Sequence, residues 1–208
     1  MGKTRKGLKY QVQDRYFKEA KKAGFVARSV FKLQEMDERW NFYKAGMTVL
    51  DLGCAPGSWL QHASQRIGPK GRVLGVDIVP VNVTLKNCHT EVADLNQLKL
   101  DNPMFTDLAP FNVIQSDAMV KTVGISDSDV ARSITLVENS LRLALGLLKP
   151  GGTFIAKVFE GPGFTEFYVQ FKPLFKKALV SRPEAIREGS REVYIIGFEF
   201  KGPKVIKK

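Results

Sequence analysis

The sequence of 208 residues predicts an α/β fold: an open sheet of seven strands, mostly parallel, with helices on both faces and the last strand in the chain antiparallel. Three observations lead there. Short apolar runs bounded by glycine, proline, asparagine and aspartate alternate with segments of helical period. One run, VLDLGCAPGSW at 49–59, ends in an acid and a glycine and bends sharply toward a helix N-terminus. Gly53, Asp77, Asp94, Asp117 and Lys157 each stand at the C-terminal end of a successive apolar run, the edge at which open α/β sheets bind ligands.

With 44% apolar residues the chain can bury one full core, and its length suits a single domain. We expect a basic flexible arm over 1–13, one domain over 14–200 and a basic tail over 201–208. The net charge of +11 is concentrated at one end: residues 1–32 hold ten Lys or Arg against Asp14 and Glu19, a net of +8. Such a segment predicts a polyanion-binding arm, because each cation near a phosphate releases condensed counterions. Cys54 and Cys88 form no CxxC pair, and only His62 and His89 could join them, so reduced thiols and no metal are expected. No run approaches ~18 uninterrupted apolar residues, and MGKTRKGLKY lacks the apolar core of a signal peptide. The expectation is a soluble, cytoplasmic protein without membrane contact.

Taken in order, apolar spacing predicts helices over 14–22 and 27–40, interrupted near Gly24. On the second, Arg28, Lys32, Glu35 and Arg39 share one stripe, with Val30 and Leu33 turned inward. A βαβ unit follows: strand 47–53, helix 57–67, a Gly-Pro-Lys-Gly turn at 68–71 and strand 72–77. A third strand near 88–93 ends at Asp94, and a fourth over 111–116 ends at Asp117. Residues 121–129 are polar and predict a substrate loop, followed by a helix over 127–148 capped by Ser126 or Asp127. Strand five, 153–158, carries Lys157, a cation too costly to leave unpaired in an apolar strand. A glycine-rich loop leads into helix 164–177, a short strand near 178–182, a polar turn at 187–191 and a last strand over 192–200. A short hairpin makes that last strand antiparallel and brings its first residue, Glu192, to the ligand edge.

The turn at 53–57 predicts a nucleoside pocket. It is not a dinucleotide fingerprint, because GxGxxG is absent and Pro56 removes an N–H that a pyrophosphate would use. S-adenosylmethionine fits better than NAD. Asp77 falls 24 residues after Gly53, close to the ~20-residue spacing at which an acid accepts from ribose hydroxyls. Asp94 is placed to receive an adenine amino group.

The motifs ARSVFKLQE, DLGCAPGSW, SDAMVKT, AKVFEGPGF and SREVYI resemble those of FtsJ-type ribosomal RNA 2′-O-methyltransferases over about 14–200. The resemblance implies a Rossmann-like S-adenosylmethionine-dependent methyltransferase. It implies a Lys-Asp-Lys-Glu catalytic tetrad at Lys32, Asp117, Lys157 and Glu192, and cofactor contacts at Gly57, Trp59, Asp77, Asp94 and Asp117. It further implies a monomer that methylates a uridine ribose of large-subunit ribosomal RNA, within the large ribosomal subunit. Lys157 would be the base or hydroxyl-orienting group, Asp117 would orient Lys157, and Lys32 with Glu192 would position the ribose. One departure is clear: the family continues the fourth strand with an Asp-Met-Ala-Pro-like sequence, whereas here Ala118-Met119-Val120-Lys121 follows Asp117. Two other readings remain open: a tRNA anticodon-loop 2′-O-methyltransferase of the same fold, and a non-catalytic RNA-binding ribosome-assembly factor.

Overall fold

The computed structural model describes residues 15–119, 126–187 and 189–203. The expected basic arm over 1–13 lies outside the described residues, as do 120–125 of the substrate loop and 204–208 of the tail. The first helix, α1, covers 15–22. It is followed by α2 (Val30–Trp40), β1 (Thr48–Leu52), α3 (Ser58–Ile67), β2 (Arg72–Asp77), β3 (Cys88–Val92) and β4 (Phe111–Ser116). The second half holds α4 (Asp127–Leu147), β5 (Leu148–Phe159), α5 (Phe164–Phe171), β6 (Phe175–Ser181) and β7 (Glu192–Phe200). The seven strands lie in the order β3-β2-β1-β4-β5-β7-β6. All are parallel except β7, which pairs antiparallel with both β5 and β6.

Alternation along the strands assigns the two faces. Leu50 and Leu52 of β1, Ile114 of β4, Ala156 and Val158 of β5 and Ile195 of β7 pack with Leu143 of α4 and Phe167 of α5. The intervening positions Val49, Val113, Ile155 and Ile196 pack on the other face with Leu33 of α2 and Trp59, Leu60 and Ala63 of α3. Asp51, Gln115, Lys157, Glu192 and Tyr194 fall on this second parity. That is why polar side chains collect beneath α2 and α3.

Element ends differ from expectation where a local rule was outweighed. The helix predicted over 164–177 stops at Phe171 and tightens into a 3₁₀ turn at Lys172–Leu174, because Pro173 has no N–H to continue the ladder. Strand β6 therefore starts at Phe175, whose ring packs on Phe154, Phe171 and Phe200. Helix α2 starts at Val30 instead of 27, so Arg28 sits in the preceding turn. Ser126 caps α4 with a full capping box: its Oγ accepts from Asp129 N, and the Asp129 carboxylate accepts from Ser126 N at 2.9 Å. Among the described residues no helix is long and apolar enough to cross a membrane, and no group of three His, Cys, Asp or Glu could hold a metal ion.

Candidate active site

The C-terminal edge of the parallel strands gathers the predicted residues. Gly53 follows β1, Asp77 ends β2, Asp117 follows β4, and Lys157 lies two residues before the end of β5. Reversal of β7 pairs Lys157 with Tyr194 and Phe159 with Glu192, so the start of β7 meets the end of β5. Lys32 comes from α2, above the same face.

These side chains form one continuous chain. Lys157 Nζ contacts Asp117 twice, at the main-chain oxygen (2.8 Å) and at Oδ1 (2.9 Å). Tyr194 Oη stands 2.9 Å from Asp117 Oδ1 and 2.9 Å from Glu192 Oε1. Lys32 Nζ donates to Glu192 Oε1 at 2.5 Å, and lies 6.0 Å from the Tyr194 ring centroid. Lys32, Lys157, Glu192 and Tyr194 are all buried, and Asp117 is nearly so. Burial alone would raise the Asp117 carboxyl, but the ammonium groups of Lys157 and Lys32 and the hydrogen bonds from Lys157 and Tyr194 outweigh it and hold it below its usual range. For Tyr194 the effects add: burial first, then the Asp117 and Glu192 charges, push the phenol well above its ordinary value.

The predicted tetrad is thus brought together, and a fifth member, Tyr194, was not singled out in the sequence. Its signal was the strand alternation itself, since a residue two positions after Glu192 shares its face.

The 53–57 turn, expected as a nucleoside pocket, follows β1 and is held by several contacts. Gly53 and Gly57 adopt φ of +75° and +112°. A Cβ on Gly53 would meet Ala118 Cα at 2.4 Å, so the glycine makes room for the segment that carries Asp117. A Cβ on Gly57 would meet Val83 at 2.8 Å, in the loop after β2. The Asp77 carboxylate ties these pieces together, accepting from Ala55 N (2.8 Å) and Val79 N (3.0 Å). Asp94 lies two residues past β3, its Oδ1 accepting from the main chain and side chain of Asn96. Trp59 is 2% exposed: its ring packs on Tyr194 at 5.7 Å, and its Nε1 donates to Ser29 O at 3.0 Å. Its side chain therefore braces α2 from beneath.

Two polar features lie below the site: Asp51, marked in the sequence only as the acid of the VLDLG run, and the Tyr43–Gln115 pair, which had no sequence signal. Asp51 is fully buried with neither carboxylate oxygen hydrogen-bonded, and it faces Gln115 across the β1–β4 pairing. Burial foremost, then Asp117 and Asp77, pushes its carboxyl well above the usual range, offset only in part by Gln115. The Tyr43 hydroxyl donates to Gln115 Oε1. Of the cysteines, Cys54 is buried with its thiol pushed up, and burial raises Cys88 to about 11, so neither is a ready nucleophile.

A doubly wound sheet with a glycine turn at its ligand edge and a lysine–carboxylate chain beside it defines a Rossmann-like methyltransferase fold. Residues 25–200 match the FtsJ-like methyltransferase family, and the chain belongs to it. The chain is 42% identical over 201 residues to a ribosomal RNA large subunit methyltransferase E of Desulfatibacillum aliphaticivorans, spanning 96% of this chain and 97% of that protein. A protein of the same name from Methanocaldococcus jannaschii is 38% identical over 209 residues, covering 97% and 84% of the two chains. The fold is also that of a crystal structure described as a ribosomal RNA methyltransferase from Plasmodium falciparum. It has a TM-score of 0.76 at 24% identity, over 86% of this chain and 100% of that one.

Proposed function

We propose that this protein transfers the methyl group of S-adenosylmethionine to a ribose 2′-hydroxyl of large-subunit ribosomal RNA, at a uridine. The observation that carries the reading is the chain Lys157–Asp117–Tyr194–Glu192–Lys32, set at the edge that holds the 53–57 turn. The relatives, named as methyltransferases of large-subunit ribosomal RNA, support that acceptor.

The residues around the turn fit an adenosyl group. The Asp77 carboxylate is flanked by Ile78 and Val79, which are 65% and 53% exposed, an acid for ribose hydroxyls beside apolar faces for a purine ring. Asp94, the main chain at Gly57 and Trp59, and Asp117 complete the set we assign to it. When bound, the cofactor supplies a methyl group on a cationic sulfur, which any oxygen nucleophile can attack.

Lys157 is the group we assign to the acceptor hydroxyl. An amine nitrogen has four tetrahedral positions, one taken by its own carbon. Two N–H groups are committed to the Asp117 main-chain oxygen and Oδ1, which leaves one position for the hydroxyl. In the neutral amine that position is a lone pair, aimed to take the proton as the oxygen becomes nucleophilic. Asp117 fixes that direction. Glu192 and Lys32, bonded to each other, hold the ribose side of the site, and Tyr194 couples the two pairs.

The test is methyl transfer from labelled S-adenosylmethionine to total tRNA, naked large-subunit rRNA and large ribosomal particles, each from cells lacking the protein. Label as a 2′-O-methylated uridine confined to rRNA or particles is expected. Label in tRNA would move the activity to the anticodon loop, and no label despite cofactor binding would leave a non-catalytic RNA-binding factor.

A further inference from the structure

Helix α2 lies along β7 and meets it at two places. At the reacting edge Lys32 holds Glu192, and further along the Trp40 ring meets Phe198 at 6.3 Å. Around that second contact four side chains are placed together by distance. The Arg39 guanidinium lies 5.0 Å from the Trp40 ring centroid, and Lys177 Nζ lies 5.7 Å from that of Phe198. Register sets Lys177 of β6 directly opposite Phe198, so both side chains stand on the α2 face of the sheet. Both rings are half-buried and both cations are exposed.

Neither cation is neutralised. Among the described residues Arg39 and Lys177 make no ion pair or hydrogen bond, and each rests on an aromatic face. The carboxylates beside them are engaged elsewhere or stand in solvent. Glu35, one turn back, gives Arg39 a partial counter-charge, but its Oε2 accepts from Glu184 N. Glu199 pairs with Lys176 at 2.8 Å, and Glu38 is exposed. Aromatic rings flanked by free cations suit single-stranded nucleic acid, with phosphates on the cations and a base on the ring.

The patch also continues the acceptor side of the site. Arg39 falls two turns after Lys32 on the same helical stripe, about 10 Å along the axis. Phe198 falls on the same face of β7 as Glu192, about 20 Å along the strand. At the ~3.4 Å rise of a stacked strand, that interval holds roughly three to six nucleotides. Charge selects the occupant. The chain carries +11, with +8 in residues 1–32 and three lysines in 204–208, so a second copy or either terminus would bring like charge.

We propose that Arg39, Trp40, Lys177 and Phe198 form a binding surface for the single-stranded RNA that runs on from the acceptor nucleotide. One base lies against the Trp40–Phe198 pair, and two phosphates lie on Arg39 and Lys177. This deepens the rRNA reading and rests on it for the identity of the strand. The surface adds affinity and leaves the reacting groups untouched.

The experiment uses the full chain as wild type, Arg39→Gln, Lys177→Gln, the double Gln variant and Trp40→Leu. Binding of oligouridylates of about four and about twelve nucleotides, within the range of single-strand sites, is measured against salt. Tryptophan emission is followed in the same titrations. The chain has two tryptophans and Trp59 is 2% exposed, so a stacking base is read through Trp40. Methyl transfer to large ribosomal particles is measured in parallel. The longer oligomer should bind the wild type more tightly than the shorter and quench its emission. The double variant, with the wild-type melting temperature, should lose roughly ten- to a hundredfold on the longer oligomer and keep its affinity for the shorter. Its log–log salt slope should be shallower by roughly 1.4, two phosphates' share on a single strand. Trp40→Leu should lose roughly five- to a hundredfold with the salt slope unchanged. For particles, KM should rise in both variants while kcat and S-adenosylmethionine affinity hold. Should Trp40→Leu fail to fold, the exposed Gln variants and the wild-type emission carry the test. Equal affinity and salt slope in wild type and double variant, or emission unmoved by the longer oligomer, would overturn the surface. Surface-dependent RNA binding without methyl transfer to particles would sink the functional reading and leave the surface standing.

Discussion

Tyr194 reaches Asp117 across the sheet: the phenol oxygen on β7 lies 2.9 Å from Oδ1 of the carboxylate that follows β4. The same hydroxyl stands 2.9 Å from Glu192, and one phenolic proton thus serves two buried carboxylates. Tyr194→Phe removes that proton and the coupling between the two lysine–carboxylate pairs. Hydrogen bonds to charged groups are worth about 1.5–3 kcal/mol, so methyl transfer should fall roughly ten- to a hundredfold. Cofactor affinity, read by calorimetry, should stay within about threefold. Because burial and two carboxylates hold the phenol well above its ordinary value, the wild-type pH–rate profile should show no phenolate limb below about pH 10.

Lys157 is tested by two substitutions that differ in charge. Lys157→Ala should abolish turnover while cofactor binding persists. Lys157→Arg keeps the cation beside Asp117 but cannot offer a neutral nitrogen near neutral pH. Arginine should fail to restore activity if Lys157 takes the proton. Recovery to within about tenfold of wild type would show instead that the charge alone orients the hydroxyl.

Asp51 gives a pH dependence of stability that can be signed. Its folded-state carboxyl is raised, by burial foremost, and the Gln115 side chain offsets that only in part. The proton is therefore bound more tightly by the folded than by the unfolded chain. The stabilisation from that proton is fully present below the unfolded value near ~3.9 and is lost as pH rises through the folded one. Asp51→Asn removes the ionisation. Its denaturant midpoint relative to wild type should climb with pH across that window, by roughly 1.4 kcal/mol per unit at most. A constant difference from about pH 5 to about pH 9 would show that Asp51 ionises freely.

Gly53→Ala should act at a distance from its own position. The added Cβ would strike the Ala118 backbone at 2.4 Å and must also adopt φ of +75°. The left-handed backbone costs about 1–3 kcal/mol, worth a few degrees of melting temperature in a chain of this size. Displacement of Ala118 moves Asp117 with it, so activity should fall more than stability does. Loss of stability with an unchanged kcat would show that Asp117 is held independently of the turn.

The ligand edge was legible because strand ends announce themselves: an apolar run, then Asp77, Asp117 or Lys157. Glu192 was legible once a short hairpin fixed the direction of β7. Lys32 was different, since a lysine on a charged helix stripe reads as solvated and only motif resemblance singled it out. Its partner lies 160 positions away. On the same stripe Arg39 lies over the Trp40 ring and Glu35 holds a loop main-chain N–H, partners that helical spacing does not reveal. Asp51 was unreadable for a related reason. Whether a strand carboxylate is buried depends on which strands flank it, and β1 is central only after β4 has crossed to its other side.

The last strand among the described residues does not lie at the rim. β7 is inserted between β5 and β6, and it delivers Glu192 and Tyr194. A chain synthesised only as far as β6 already contains the glycine turn, Asp77, Asp117 and Lys157. It leaves β5 with a bare edge and Lys32 without its ion-pair partner Glu192. Growth from the N-terminus and the lateness of long-range strand pairing therefore fix a sequence of events in time. The 53–57 turn, Asp77, Asp117 and Lys157 thus precede β7 in the chain, and Glu192 and Tyr194 join Lys32 and Asp117 only with the β6–β7 hairpin.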